Sequence, residues 1–197
     1  CSLHLAPNPI LANALLSAKV TSIAYETVKE EGKHGLPLLY PMSEIAGKLA
    51  PQIGSRLLQS QFGGNGKLLS GVPGTLPCNV IVVGGGTVGF NAVRVARSMG
   101  ADVTVVDLDL GRLRFIDEIW GGAIKTRFST PVALLELLPM ADIVVGAVLV
   151  PGAVTPRVIT REMIASMAEK SVALDVSIDQ GGAIEGIRAT TATNPGY

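Results

Sequence analysis

From Cys78 to Asp179 the chain alternates two kinds of segment, and that alternation constrains the fold more than any other feature. "CNVIVVG", "DVTVVD", "AIKTRF", "DIVVGAV" and "VALDVSID" are short runs of strand length, the third weaker than the rest. Between them lie 87–99, 109–119, 131–139 and 160–168, with the apolar spacing of amphipathic helices. A strand that is apolar on both faces must be buried on both faces, so helices have to cover each side of the sheet. Strands joined through helical crossovers pair in parallel. The expected class is α/β, a doubly wound parallel sheet.

The turn after the first run gives that sheet a purpose. "VVGGGTVGF" places Gly84, Gly86 and Gly89 in a G-x-G-x-x-G pattern between a strand and a helix. With 23 glycines in the chain the pattern alone says little. Its setting says more. The first glycine makes a tight turn, the second lets backbone approach a pyrophosphate, and the third permits close helix–strand packing. Thr87 and Val88 open the helix, whose first N–H groups and positive dipole end suit phosphate oxygens. Asp107 closes the second strand about 20 residues on, where a carboxylate accepts ribose hydroxyls and repels a 2′-phosphate. The plainer alternative is a ligand-free glycine turn with Asp107 as a strand-end cap. The combination favours a Rossmann-type domain that holds NAD. Arg112, one turn into the next helix, lies over the adenosine or is a solvated helix face.

Ahead of residue 78 the rhythm differs. Residues 2–6 are a short alternating run, and 8–20 read as a helix with Asn8 as N-cap and Pro9 at its first position. Residues 21–28 are rich in strand formers, and 30–35, with His34, form a polar surface loop. Residues 41–62 read as a long helix started by Ser43 and kinked at Pro51, with Ile45, Leu49, Ile53, Leu57 and Leu58 along one face. The five glycines and two prolines of 63–77 make a loop or hairpin. The break between regimes falls near 38–42.

Composition narrows the function classes. Charged residues are 16% against 48% apolar, with 16 basic and 16 acidic side chains and no block of one sign. That argues against disorder and against nucleic-acid or anionic-membrane partners. No apolar run reaches the ~18–20 residues of a membrane helix, and no secretory leader opens the chain. Cys1 and Cys78 are too isolated for a disulfide framework or metal site, so a reducing cytoplasm is expected. The first residue is not Met and "TTATNPGY" supplies no closing element, so the chain reads as a segment of something longer.

"SIAYETV", "LPLLYPMSEIAGKLAPQIG", "GVPGTLP", "VVGGGTVG", "DIVVGAVLVPGAVTP" and "LDVSIDQGGAIE" together resemble the alanine dehydrogenases in order and spacing, over essentially the whole chain. "PMSEIAG" and "SIDQGG" are the specific parts. The resemblance implies a second α/β domain, so that 1–41 would be the C-terminal part of a catalytic domain and 42–62 a bridging helix. Residues 63–197 would be the NAD-binding domain without its last strand. It implies reversible, NAD-dependent oxidation of L-alanine to pyruvate and ammonium by a homo-oligomer, a hexamer. His4 in "LHLA" and Asp179 in "DQGG" match the family's catalytic pair. Proton transfer near neutral pH suits a histidine, and Asp179, at a strand's C-terminal end, is placed to orient water. Without the resemblance His4 reads as a strand-end residue and "DQGG" as a turn.

Ser43 matches a contact to the NAD phosphates, Ser129 an adenine-side contact, and Val148 and Leu149 the segment passing the nicotinamide. Val176, Ser177 and Ile178 match the loop beside it, and Arg188 a cofactor-side basic residue. The family's substrate-holding arginine and lysine precede "LHLA", and its nicotinamide-covering "NMPG"-type loop follows the sixth strand. Neither stretch is among these residues, so this chain alone is expected to bind NADH without turning over pyruvate and ammonium. Two other readings share the architecture. One is a related imino-acid dehydrogenase, and the other a transhydrogenase-like NAD-binding module without catalysis.

Overall fold

The computed structural model describes residues 2–32, 35–191, 193 and 196. Cys1 and His34 lie outside the described residues. Five parallel strands form the sheet: β1 (Asn79–Val83), β2 (Asp102–Asp107), β3 (Lys125–Phe128), β4 (Ile143–Gly146) and β5 (Val172–Asp175). Their order is β3-β2-β1-β4-β5. The chain leaves β1 toward one edge and returns to lay β4 on β1's other side. Val80 thus stands opposite Val103 on β2 and Ile143 on β4.

The apolar runs are buried on both faces because the pleat sends alternate residues to opposite sides. Val80, Val82, Val103, Val105, Ile143 and Val145 share one core with α3 (Thr87–Ser98) and α4 (Leu110–Trp120). Ile81, Val83, Val106 and Val144 enter a second core with Leu134 of α5 (Pro131–Leu137) and Met163 of α6 (Arg161–Ala165). The doubly wound α/β class expected from the sequence is the fold observed.

Several elements are shorter than their sequence pattern. The first helix, α1 (Pro9–Ser17), is capped by Asn8 Oδ1 on Leu11 N at 3.1 Å and ends before Lys19, whose φ is +52°. The expected helix at 160–168 is the five residues of α6, and 131–139 ends as a 3-10 turn, Leu138–Met140. The strand expected over 172–179 stops at Asp175, so Asp179 sits in the 3-10 turn Ile178–Gln180.

Residues 21–28 form no strand, since β-branched side chains make a strand only where a neighbour offers a ladder. Here Tyr25–Thr27 is a 3-10 turn, and Thr27 Oγ1 donates to Ala24 O at 2.9 Å. Residues 2–6 likewise contain no strand.

The long helix, α2 (Tyr40–Leu57), departs most from expectation. It begins before Ser43, because Pro41 is preset for a first helical turn, so Ser43 lies inside the helix and caps nothing. Pro51 lies within it and does not end it. The face toward the protein is Gly47, Ala50, Pro51 and Gly54, whereas Ile45, Leu49 and Ile53 are 58%, 46% and 43% exposed. Small residues let backbone approach backbone. A Cβ on Gly47 would stand 2.2 Å from Val88 O of α3, and one on Gly54 2.9 Å from the Ile143 side chain of β4. This helix therefore packs on α3 at Gly47 and on the sheet at Gly54.

Candidate active site

Three glycines shape the end of β1, each for a different reason. Gly84 has φ +104°, a conformation costly for other residues, and its N–H donates to Val106 O at 2.8 Å. Gly89 packs so tightly that an added Cβ would be 1.7 Å from Gly84 O. At Gly86 a Cβ would meet nothing within 4 Å, so this backbone borders open space. Gly86 is also the N-cap of α3, and no side chain caps that helix. Uncapped N–H groups at a helix start, next to space a ligand can fill, fit a phosphate.

Beside the turn, Asp107 accepts from Gly85 N at 2.5 Å and, through its other oxygen, from Asp109 N at 2.8 Å. Arg112 Nε donates to Gly85 O, also at 2.5 Å. Gly85 is thus held through both its N–H and its C=O. The guanidinium carbon of Arg112 lies 4.9 Å from the centre of the Phe90 ring and 4.8 Å from that of Phe115. Burial lowers the Arg112 pKa, and the charges of Asp107 and Asp109 oppose that shift. The sequence offered adenosine contact or a solvated face, and the side chain is half-buried rather than solvated. Two aromatic rings and a carbonyl hold it under the turn.

A cleft of about 460 Å³ opens at the C-terminal ends of β1 and β4, where the strand order reverses. Ligands of open α/β sheets bind at that point. Gly84, Gly86, Thr87, Val88 and Asp107 line it on one side, and Val148 and Leu149 on the other. Ser43 on α2 and Ser129 after β3 complete its walls. Its lining is mostly apolar with a few convergent polar groups, as dinucleotide sites require.

A second cavity, of about 330 Å³, is lined by His4, Glu26, Gly152, Ala153 and Gln180 among others. The 147–153 segment serves both, its first part walling the cleft and its last part this cavity. His4 Nε2 is 3.2 Å from Asp179 Oδ2, with the two side chains 26% and 55% exposed. His4 has φ +44° and is held by Glu26, whose Oε1 accepts from Leu3 N at 2.8 Å and His4 N at 2.9 Å. Glu26 is only 7% exposed. Burial raises its pKa, but the N–H groups of His4 and Leu3 and the charge on His4 outweigh that and hold it below the ordinary carboxylate range.

Residues 50–197 match the family model described as alanine dehydrogenase/PNT, C-terminal domain. The chain belongs to that family. An alanine dehydrogenase of Methanococcus maripaludis is 50% identical over 196 residues, which is 99% of this chain and 52% of that protein. One from Bacillus subtilis is also 50% identical over 196 residues, covering 99% and 51%. Among solved structures, an L-alanine dehydrogenase superposes with a TM-score of 0.89 at 40% identity, covering 100% of this chain and 54% of the other. A transhydrogenase from Sinorhizobium meliloti gives 0.76 at 25% identity, covering 96% and 56%. The chain spans about half the length of the curated relatives it matches.

Within this alanine dehydrogenase/PNT chain, nine of the fifteen anticipated cofactor contacts line the cleft. Gly89 lies beneath it as packing. Val176, Ser177 and Ile178 adjoin it through Ser177 Oγ, which donates to Val148 O at 2.6 Å. Arg112 supports the turn from behind, and Arg188 lines neither cavity. Tyr40 and Leu39, at the start of α2, also line the cleft, and "LPLLYPMS" carried no pattern that singled them out. Glu26 was equally silent in sequence, because its partners are backbone N–H groups more than 20 residues away.

Proposed function

We propose that this chain is the NAD-binding half, with the proton-handling pair, of an NAD-dependent L-alanine dehydrogenase. The reaction is the reversible oxidative deamination of L-alanine to pyruvate and ammonium. The carrying observation is that His4 and Asp179, from opposite ends of the chain, meet at 3.2 Å, and that His4 lines a cavity joined to the dinucleotide cleft by one continuous segment.

The cleft residues fit the cofactor. Gly84 to Gly89 and the start of α3 offer the pyrophosphate N–H groups and space, and Ser43 stands across from them. Asp107 already accepts two backbone N–H bonds, yet a carboxylate has about four acceptor positions, so ribose hydroxyls find room. A 2′-phosphate would face its negative charge, which favours NAD over NADP. Bound NAD supplies the hydride acceptor for the substrate α-carbon.

The protein's own part is proton handling. Water adding to the imine must lose a proton, and the departing amine must gain one. His4 Nδ1 is buried without a partner, so proton exchange falls to Nε2, which faces Ser2 Oγ and Asp179 Oδ2. Asp179 beside Nε2 holds the ring in its orientation. The same reading places the enzyme in the cytoplasm as a homo-oligomer, a hexamer. It is supported by the exposed apolar stripe of Ile45, Leu49 and Ile53, which a second copy can cover. No helix among the described residues is long and apolar enough to cross a membrane.

Two measurements test it. NADH fluorescence titration on this chain should show saturable binding, and the protein carrying it at full length should form NADH when given L-alanine and NAD. In that protein His4→Ala should lower turnover by roughly 10²–10⁴ while leaving NADH affinity near wild type. Turnover that survives His4→Ala overturns the role of His4, and no L-alanine-dependent NADH formation overturns the reaction.

A further inference from the structure

We propose that Asp175 is a positioning residue, whose carboxylate closes the base of the 176–184 segment and so fixes where Asp179 meets His4. The role in catalysis rests on the dehydrogenase reading above, whereas the closure of the segment stands without it.

Strand β5 ends at Asp175, paired with Gly146 of β4. From there the chain makes a compact excursion and comes back to its own start. Asp175 Oδ1 accepts from Ser177 N at 3.0 Å and Oδ2 from Ile184 N at 2.9 Å. One side chain therefore grips both ends of the excursion. Gly181 and Gly182, with φ +107° and +81°, make the return, and Gly182 N donates to Ser177 O at 3.1 Å. A Cβ on Gly182 would stand 2.9 Å from Asp175 Oδ2, so the carboxylate fills the inside of the turn.

The gripped segment is tied to both cavities. Ser177 Oγ donates to Val148 O at 2.6 Å on the cleft side, and Thr155 N donates to Gln180 O at 2.8 Å. Asp179 rides on this frame with its own side chain 55% exposed. Its place is set by the backbone beneath it rather than by burial of the carboxylate. Burial raises the Asp175 pKa, the N–H groups of Ile184, Ser177 and Ala183 pull it back, and the charge of Asp179 adds to the rise. An amide cannot replace this carboxylate. Asn has one acceptor oxygen, and its NH₂ would point at an N–H that needs an acceptor.

The test uses the full-length protein carrying this chain, with Asp175→Asn, Asp175→Glu, Asp179→Ala and the Asp175→Asn/Asp179→Ala double variant. Amide hydrogen exchange should quicken at Ser177 and Ile184 in Asp175→Asn, and NADH affinity should fall far less than turnover. Turnover should fall on the order of 100-fold, the cost of a misplacement of about 1 Å. The double variant should be no slower than Asp179→Ala alone, because Asp175 acts only through Asp179. Asp175→Glu keeps the charge but overshoots by a methylene, so it should fold, bind NADH and lose turnover to a smaller degree. That variant decides the matter if Asp175→Asn does not fold. Wild-type turnover in a folded Asp175 variant, or losses that multiply in the double variant, overturn the positioning role. Unchanged exchange at Ser177 and Ile184 overturns the closure itself. A wild-type protein that oxidises no L-alanine overturns the dehydrogenase reading and leaves the exchange result standing.

Discussion

His4 is held where its own backbone would not choose to be. A left-handed conformation costs a non-glycine residue about 1–3 kcal/mol, so something must hold φ at +44°. Glu26 does so, by taking the N–H groups of Leu3 and His4 on one oxygen. Its pKa is depressed, so its stabilisation is present above the ordinary carboxylate range and disappears as pH falls through the lowered value. Glu26→Gln should therefore unfold at lower urea than wild type at neutral pH, with the gap closing under acid. Urea midpoints across a pH series check this, and a gap that persists at low pH would show that packing rather than charge matters. Asp107 carries a second prediction at this scale. Asp107→Ala removes the charge proposed to exclude a 2′-phosphate and also frees Gly85 N. Parallel titrations should show weaker NADH binding and a narrower gap to NADPH, and an unchanged preference would remove Asp107 from the ribose site.

Among the elements, α2 shows how closeness decides packing. Gly47 lies against α3 with no room for a side chain, since a Cβ would sit 2.2 Å from Val88 O. Alanine favours helix over glycine by up to about 1 kcal/mol, but overpacking costs typically 1–3 kcal/mol. Gly47→Ala should thus lower stability in a urea melt despite its better helix propensity, and should weaken NADH binding by lifting Ser43 from the cleft. A stabilised variant would mean that the two helices part without cost. The sheet was readable from sequence because long β-branched runs recur between helical stretches. The buried face of α2 was readable only at its end, where Leu57 and Leu58 reach the core, because Ile45, Leu49 and Ile53 mark the exposed side. What packs there is Gly47, Ala50 and Gly54, and hydrophobicity does not register backbone contact. Residues 21–28 misled for a related reason: strand formers without a partner became the turn that presents Glu26. The glycine turn and Asp107 were legible because their spacing is local. Glu26 and the stacking of Arg112 on Phe90 were not, because their partners come from distant elements.

At the scale of the whole molecule, the cleft exists only where two halves meet. Gly84, Gly86, Thr87, Val88 and Asp107 come from the β1–β2 side, and Val148 and Leu149 from the segment after β4. A ligand bound between them stabilises the joined state over any opened one, by about 2.7 kcal/mol at a hundredfold excess over its Kd. The melting temperature should accordingly rise with NADH concentration, and amides of both β1 and β4 should gain protection from hydrogen exchange. Protection confined to β1 would mean that the cofactor rests on one half alone. The sheet order also governs how this protein is made. Synthesis delivers β1, β2 and β3 ahead of β4, and any pairing in the order β3-β2-β1 that precedes docking of β4 leaves one side of β1 uncovered. Until Ile143–Gly146 arrives, the flank of β1 from Val80 to Val83 shows a row of free N–H and C=O groups on an apolar strand. Such a flank is a template for wrong partners. Neighbouring nascent chains on one messenger would meet at that moment, so the central strand of the finished sheet is the vulnerable edge of the growing one.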